Sequence, residues 1–127
     1  MKSPKQPTPG ELAILQVLWQ RGPSTVRDVH AALDRRRPTG YTTVLKLLQI
    51  MTEKGLVARD EKSRAHVYQP RLPRAQTQKR LVADLLDRAF AGSAAQLVMQ
   101  ALSARRASPQ ELAQIRRLLE EYERSHP

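Results

Sequence analysis

Thr42, Lys46 and Gln49 follow one another at intervals of four and three residues, and on a helix that spacing stacks them along one edge. With Thr42 at zero and about 100° per residue, Lys46 lies at about 40°, Gln49 at about −20° and Glu53 at about 20°. Thr43 sits at the margin of this polar stripe. Threonine hydrogen-bonds a base or touches a thymine methyl, glutamine pairs bidentately with adenine, and lysine reaches guanine or a phosphate. Glu53, the acid on the stripe, falls at the C-terminal end, whereas reading helices present their N-terminal residues to base edges. A solvated helix face would look the same in isolation, so the neighbouring elements decide between the two readings.

The stripe belongs to a segment from Tyr41 to Lys54 whose Tyr41, Val44, Leu45, Leu47, Leu48, Ile50 and Met51 form a broad apolar face. Thr39 or Gly40 suits its start, and Gly55 its stop. Upstream, Thr25 with Asp28 is a capping box for a helix from Val26 to Leu33 that turns Val26, Val29, Ala32 and Leu33 inward. Arg35, Arg36 and Arg37 then make a basic corner before Pro38, suited to a phosphate backbone. Before these, Thr8-Pro9-Gly10-Glu11 opens a helix carrying Leu12, Leu15, Leu18 and Trp19, ended by Gly22-Pro23. Trp19 lies on that apolar stripe and is expected in the core, not as a platform for bases.

Downstream, Leu56 to Arg59 and Ala65 to Gln69 read as a short hairpin with a charged tip, Asp60 to Arg64. Lys62 and Arg64 there can hold a phosphate or enter a minor groove, with His66 a weaker candidate. Helix, turn, helix, hairpin is the layout of a winged helix-turn-helix spanning residues 8–73. The nucleic-acid contacts expected from it are Tyr41, Thr42, Thr43, Lys46 and Gln49 on the helix and Lys62 and Arg64 on the wing.

The second half, residues 74–127, changes character. Arg74 to Ala91 places Leu81, Val82, Leu85, Leu86, Ala89 and Phe90 on one side, and Gly92 interrupts it. Ser93 caps a shorter helix with Leu97, Val98, Ala101 and Leu102; Ser108-Pro109-Gln110-Glu111 opens a third with Leu112, Ile115, Leu118, Leu119 and Tyr122. Three amphipathic helices in roughly fifty residues bury too little to stand alone. A second copy of the region is the economical partner, giving a twofold dimer over a palindromic site. The alternative is that the helices fold back on their own chain. Leu81, Leu85, Leu86, Phe90, Leu97, Leu102, Leu112, Ile115, Leu119 and Tyr122 are the expected dimerisation residues.

Charge is divided in the same way. Residues 1–73 hold thirteen Lys and Arg against six Asp and Glu, a net of +7; residues 74–127 hold nine against six, a net of +3. The excess sits where duplex binding is expected. Five aromatic residues are too few for the stacking platform that single strands prefer. Residues 1–7, without periodicity, read as a mobile tail with too little apolar sequence for a signal peptide, and no apolar run approaches a membrane span. The absence of cysteine excludes disulfides and thiolate metal sites and fits a cytoplasmic location. His30, His66 and His126 are too scattered for a zinc helix, and no phosphate-cradling glycine loop or cysteine nucleophile is present, so neither an enzyme nor a cofactor is expected.

Gly40-Tyr41-Thr42-Thr43-Val44, Thr52-Glu53-Lys54-Gly55-Leu56-Val57 and Ser63-Arg64-Ala65-His66-Val67-Tyr68-Gln69-Pro70, with Glu11-Leu12 and Leu18-Trp19 before them, resemble the penicillinase-repressor family of BlaI/MecI-type bacterial regulators. The resemblance runs from about Pro7 to Tyr122. It implies a mainly helical homodimeric repressor, with a winged helix and a three-helix dimerisation region, on promoter dyads of the TACA/TGTA kind. Thr42, Thr43 and Lys46 would inherit the recognition role and Arg64 the wing role. It also implies relief by cleavage in the dimerisation region, triggered by a membrane-bound sensor protease. The family's cleaved asparagine-phenylalanine pair corresponds here to Gln100-Ala101, and the C-terminal cysteines of its copper-responsive branch are absent. Two other readings remain open at this point: a winged-helix adaptor that docks proteins, and a repressor that binds a small effector directly.

Overall fold

A computed structural model describes residues 6–127; the first five residues of the expected tail lie outside the described residues. The chain divides into two units, the first ending at Val82 and the second beginning at Ala83. The first contains α1 (Pro9–Arg21), β1 (Ser24–Thr25), α2 (Val26–Asp34), α3 (Tyr41–Lys54), β2 (Val57–Asp60) and β3 (Val67–Pro70). Helix α4 (Arg74–Ala89) begins in the first unit and ends in the second, which also holds α5 (Ala94–Ala104) and α6 (Pro109–Ser125).

The helix starts follow the capping chemistry of the sequence. The Thr8 hydroxyl accepts from the Glu11 amide at 3.3 Å while the Thr8 amide donates to the Glu11 carboxylate at 2.9 Å. Thr25 and Asp28 repeat the exchange at 3.2 and 3.1 Å. Each box satisfies amides that a helix start leaves without partners. Helix α3 differs: its N-cap is Gly40, with no side-chain cap, so of the two expected starters glycine occupies the position. Its stop is as expected, with Gly55 left-handed at φ 81° and Leu56 donating to the Met51 carbonyl at 2.9 Å.

The expected hairpin is part of a larger sheet. Strand β3 pairs antiparallel with β2, matching Arg59 to Tyr68, and on its other edge with the two-residue β1, matching Ser24 to Tyr68. A two-residue strand whose second residue is already a helix cap carries no strand periodicity, which is why β1 is invisible in the sequence. Tyr68, flanked on both sides, is fully buried.

One core holds the first unit. Ile14, Leu15 and Leu18 of α1, Val29 of α2, and Val44, Leu48 and Met51 of α3 are buried with Leu56, Val57 and Tyr68. Burying each such side chain contributes about 1.5–3 kcal/mol. Trp19 packs against this cluster as expected, with the Arg74 guanidinium 5.6 Å from its ring centroid, a cation–π distance.

The second unit contains no buried residue among those described. Helix α4 ends two residues before the expected Ala91, because Ala91 and Gly92 both take positive φ, 47° and 79°, and the Gly92 amide turns back to the Leu86 carbonyl at 2.8 Å. Ser93 and Ser108 cap α5 and α6 by accepting from Gln96 and Glu111 amides. Leu85, Val98, Met99, Leu102, Leu118, Leu119 and Tyr122 are all exposed, with Tyr122 at 62%. Leu86, Phe90, Leu97, Leu112 and Ile115 are only half-buried, as is Leu81 near the end of the first unit.

Candidate nucleic-acid interface

Helix α3 is built as a lever with one dry side and one wet side. Val44, Leu48 and Met51 are buried to 0% exposure, while Thr42, Thr43, Lys46, Gln49 and Glu53 all face solvent. The stripe expected from the 3.6-residue period is therefore intact on the surface. Neither Lys46 nor Glu53 is engaged in an ion pair among the described residues. Tyr41 departs from expectation: placed on the apolar face by periodicity, it is 49% exposed, because at the first position of the helix it projects past the core.

Both ends of the lever are tied down by groups the sequence did not reveal. At the N-terminal end His30 of α2 meets the Thr39 carbonyl through Nε2 at 2.7 Å and lies edge-on to the Tyr41 ring, with centroids 5.8 Å apart. The Thr39 amide donates to Asp34 at 3.0 Å, and its hydroxyl donates to the Arg37 carbonyl at 2.8 Å. This network sets the turn that carries Arg35, Arg36 and Arg37, all exposed. At the C-terminal end Lys54 Nζ donates to both oxygens of Glu11 at 2.8 and 2.9 Å. The Glu11 side chain is 1% exposed and that of Lys54 22%. Burial pushes the Glu11 carboxyl up, but the Lys54 ammonium and the Thr8 amide and hydroxyl outweigh it and hold it below its ordinary value. A residue read as a cap is thus also the anchor of the lever, and only the pairing across 43 positions, which no local pattern carries, distinguishes the two.

The wing tip presents Lys62 and Arg64 to solvent, with His66 exposed beside them. Its two acids are occupied within the hairpin. Asp60 accepts from the Lys62 amide at 2.9 Å, and Glu61 pairs with Arg59. Hydrogen bonding to Tyr68, and then to Glu61, keeps the Arg59 guanidinium even more firmly protonated than usual. The cations of the tip are left unpaired among the described residues.

Between the wing and the start of α2 lies a cleft of about 590 Å³, edged by Arg27, Tyr41, Arg64 and His66, with no acidic residue in its lining. Arg27 drew no attention in the sequence, being one exposed arginine on a helix. Fold topology alone brings it opposite Arg64.

The first unit thus presents an exposed polar stripe on an anchored helix, beside a wing whose Lys62 and Arg64 have no acidic partner among the described residues. The family model described as penicillinase repressor matches residues 7–121. The chain belongs to the penicillinase repressor family. Membership makes it a transcriptional repressor of BlaI type, a DNA-binding protein and not an enzyme. It is 37% identical over 117 residues to the transcriptional regulator BlaI of Mycobacterium tuberculosis strain H37Rv, spanning 91% of this chain and 84% of that one. The sequence of strain CDC 1551 gives the same figures. Among solved structures, the DNA-binding domain of the repressor BlaI has TM-score 0.52 at 23% identity, covering 59% of this chain and 92% of that one. Bacillus licheniformis BlaI, solved as a monomeric form in complex with the blaP half-operator, has TM-score 0.51 with the same identity and coverage. At that identity these two speak for the winged-helix fold.

Proposed function

We propose that this repressor binds palindromic operator DNA as a homodimer in the cytoplasm, each copy reading one half-site with the exposed edge of α3. The observation that carries the reading is the stripe itself. Four side chains with base-pairing chemistry, Thr42, Thr43, Lys46 and Gln49, stand exposed opposite three wholly buried ones on a helix fixed at both ends. Lys62 and Arg64 add wing contacts, and the cleft between Arg27 and Arg64 accommodates a backbone phosphodiester beside the bases. Tyr41, at the mouth of that cleft, serves the backbone.

In this reading residues 8–73 are the winged helix and residues 74–127 the dimerisation region. Support for dimerisation is energetic: Leu85, Leu102, Leu118, Leu119 and Tyr122 of α4–α6 remain open to water, and the chain gains by covering them. A twofold partner supplies the same face in return. Relief by a membrane-bound sensor protease belongs to the same proposal. Gln100 and Ala101 are exposed on α5, and a cut between them would separate α6 from the rest of the dimerisation surface.

Selection of bound duplexes from a random pool, followed by sedimentation of the winner with the repressor, tests the reading. An inverted repeat carrying two chains per duplex is expected. A recovered motif without twofold symmetry, or one chain per full-length site, would overturn it.

A further inference from the structure

The two flanks of α3 are chemically unlike. On the wing side the cleft is edged by cations, as a phosphate requires. On the other side, a groove of about 560 Å³ runs between α1, α2 and the start of α3, and its floor is apolar. Val17, Leu33 and Leu47 pack against the core from one side and remain partly open to the groove on the other. Space exists because the neighbouring wall positions are small: Ala13 on α1 and Ala32 on α2. A phosphate backbone gains nothing from such a floor, whereas an apolar ligand of modest size does, and the volume falls within the usual range for one.

The rim determines what kind of ligand. Arg36 and Arg37 of the α2–α3 turn line one end, exposed and without a carboxylate partner among the described residues, and no acid lines the groove anywhere. An apolar trough closed by two unpaired guanidinium groups is complementary to a small amphipathic anion, with its body on Leu33 and Leu47 and its carboxylate at the arginines. The groove also includes Gly40 and Thr43, the N-cap and third residue of the recognition helix. We propose that this groove is an effector site for a small amphipathic monocarboxylate, whose binding, on the DNA-binding reading above, competes with operator DNA by occupying Arg36 and Arg37.

Decanoate serves as the probe and decanol as its uncharged counterpart. Titration of the full chain, followed by amide chemical shifts, should give saturable changes at Ala13, Val17, Leu33, Gly40 and Leu47, with decanol at least fivefold weaker. Saturating decanoate should weaken operator binding at least fivefold. Ala13→Phe, which fills the trough from an exposed position away from the DNA stripe, should bind operator normally and lose both the shifts and the decanoate effect. A second variant, Ala32→Leu, guards against misfolding of the first and should behave alike. Shifts confined to α4–α6, equal affinity for decanol, or an unchanged operator affinity with the groove saturated would each overturn the proposal. Failure of operator binding without any ligand would instead count against the DNA-binding reading.

Discussion

Lys54→Met isolates the anchor at the far end of α3. It removes the ammonium from a carboxylate whose side chain is 1% exposed, leaving that carboxylate the hydrogen bond from the Thr8 amide. Breaking a buried pair from one side costs about 3–5 kcal/mol. Because Lys54 itself is 22% exposed and water can replace part of what it supplies, the expected loss at pH 7 is nearer about 2–3 kcal/mol, or roughly 10–20 °C in Tm for a unit of this size. Trp19, the single tryptophan and packed against the same core, reports the transition in urea. The pH dependence carries the sharper signature. In the parent the folded carboxyl lies below its ordinary 4.5, so its contribution is present above that value and fades as pH falls through the folded one. In the variant burial is opposed by Thr8 alone, so the folded carboxyl moves up from its position in the parent and less stability is gained as pH rises. The gap between the two proteins should therefore close toward pH 4. A gap under about 0.5 kcal/mol at pH 7, or one constant from pH 7 to 4, would refute the reasoning. Restoring most of the loss with Glu11→Leu alongside Lys54→Met is the complementary expectation.

Lys46→Ala should cost about 1–3 kcal/mol in operator affinity and relax preference at one base pair if the ammonium reads a base, checked by binding to a panel of single-substituted operators. Arg27→Gln should weaken specific and non-specific duplexes alike and reduce the slope of log affinity against log salt by about 1, the mark of one lost phosphate contact. Leu118→Glu with Leu119→Glu, at two of the most exposed leucines of α6, should convert a sedimenting dimer into single chains while leaving the Trp19-reported unfolding of the first unit unchanged.

Legibility followed the range of the forces involved. Caps, helix periods and the Gly55 stop are decided within a few residues, so α1, α2, α3 and the polar stripe could be read directly. Ser24 and Thr25 form a strand only because Tyr68 and Val67 lie beside them. Glu11 becomes a buried anchor only because the fold delivers Lys54 to it, and Arg27 faces Arg64 for the same reason. Tyr41 illustrates the converse error: its helical phase says inward, but the core ends before the first turn does. In the second half the amphipathic faces were legible, yet none of their expected residues is fully buried within the single chain.

On the dimer reading, that open surface makes repression a matter of avidity. Joining two winged helices turns the second half-site into an intramolecular event, and such linkage multiplies affinity by about 10²–10⁴ without a new base contact. Cleavage between Gln100 and Ala101 and occupation of the groove would then release DNA at different levels. The cut removes the multiplier and leaves each recognition helix as it was; the anion weakens each helix and leaves the pair joined. A duplex carrying a single half-site separates them. The monomeric Leu118→Glu, Leu119→Glu protein should bind it as the parent does, whereas the parent saturated with decanoate should bind it more weakly. Equal loss in both cases would mean that the two units do not act independently, and the partition of reading and pairing between them would have to be abandoned.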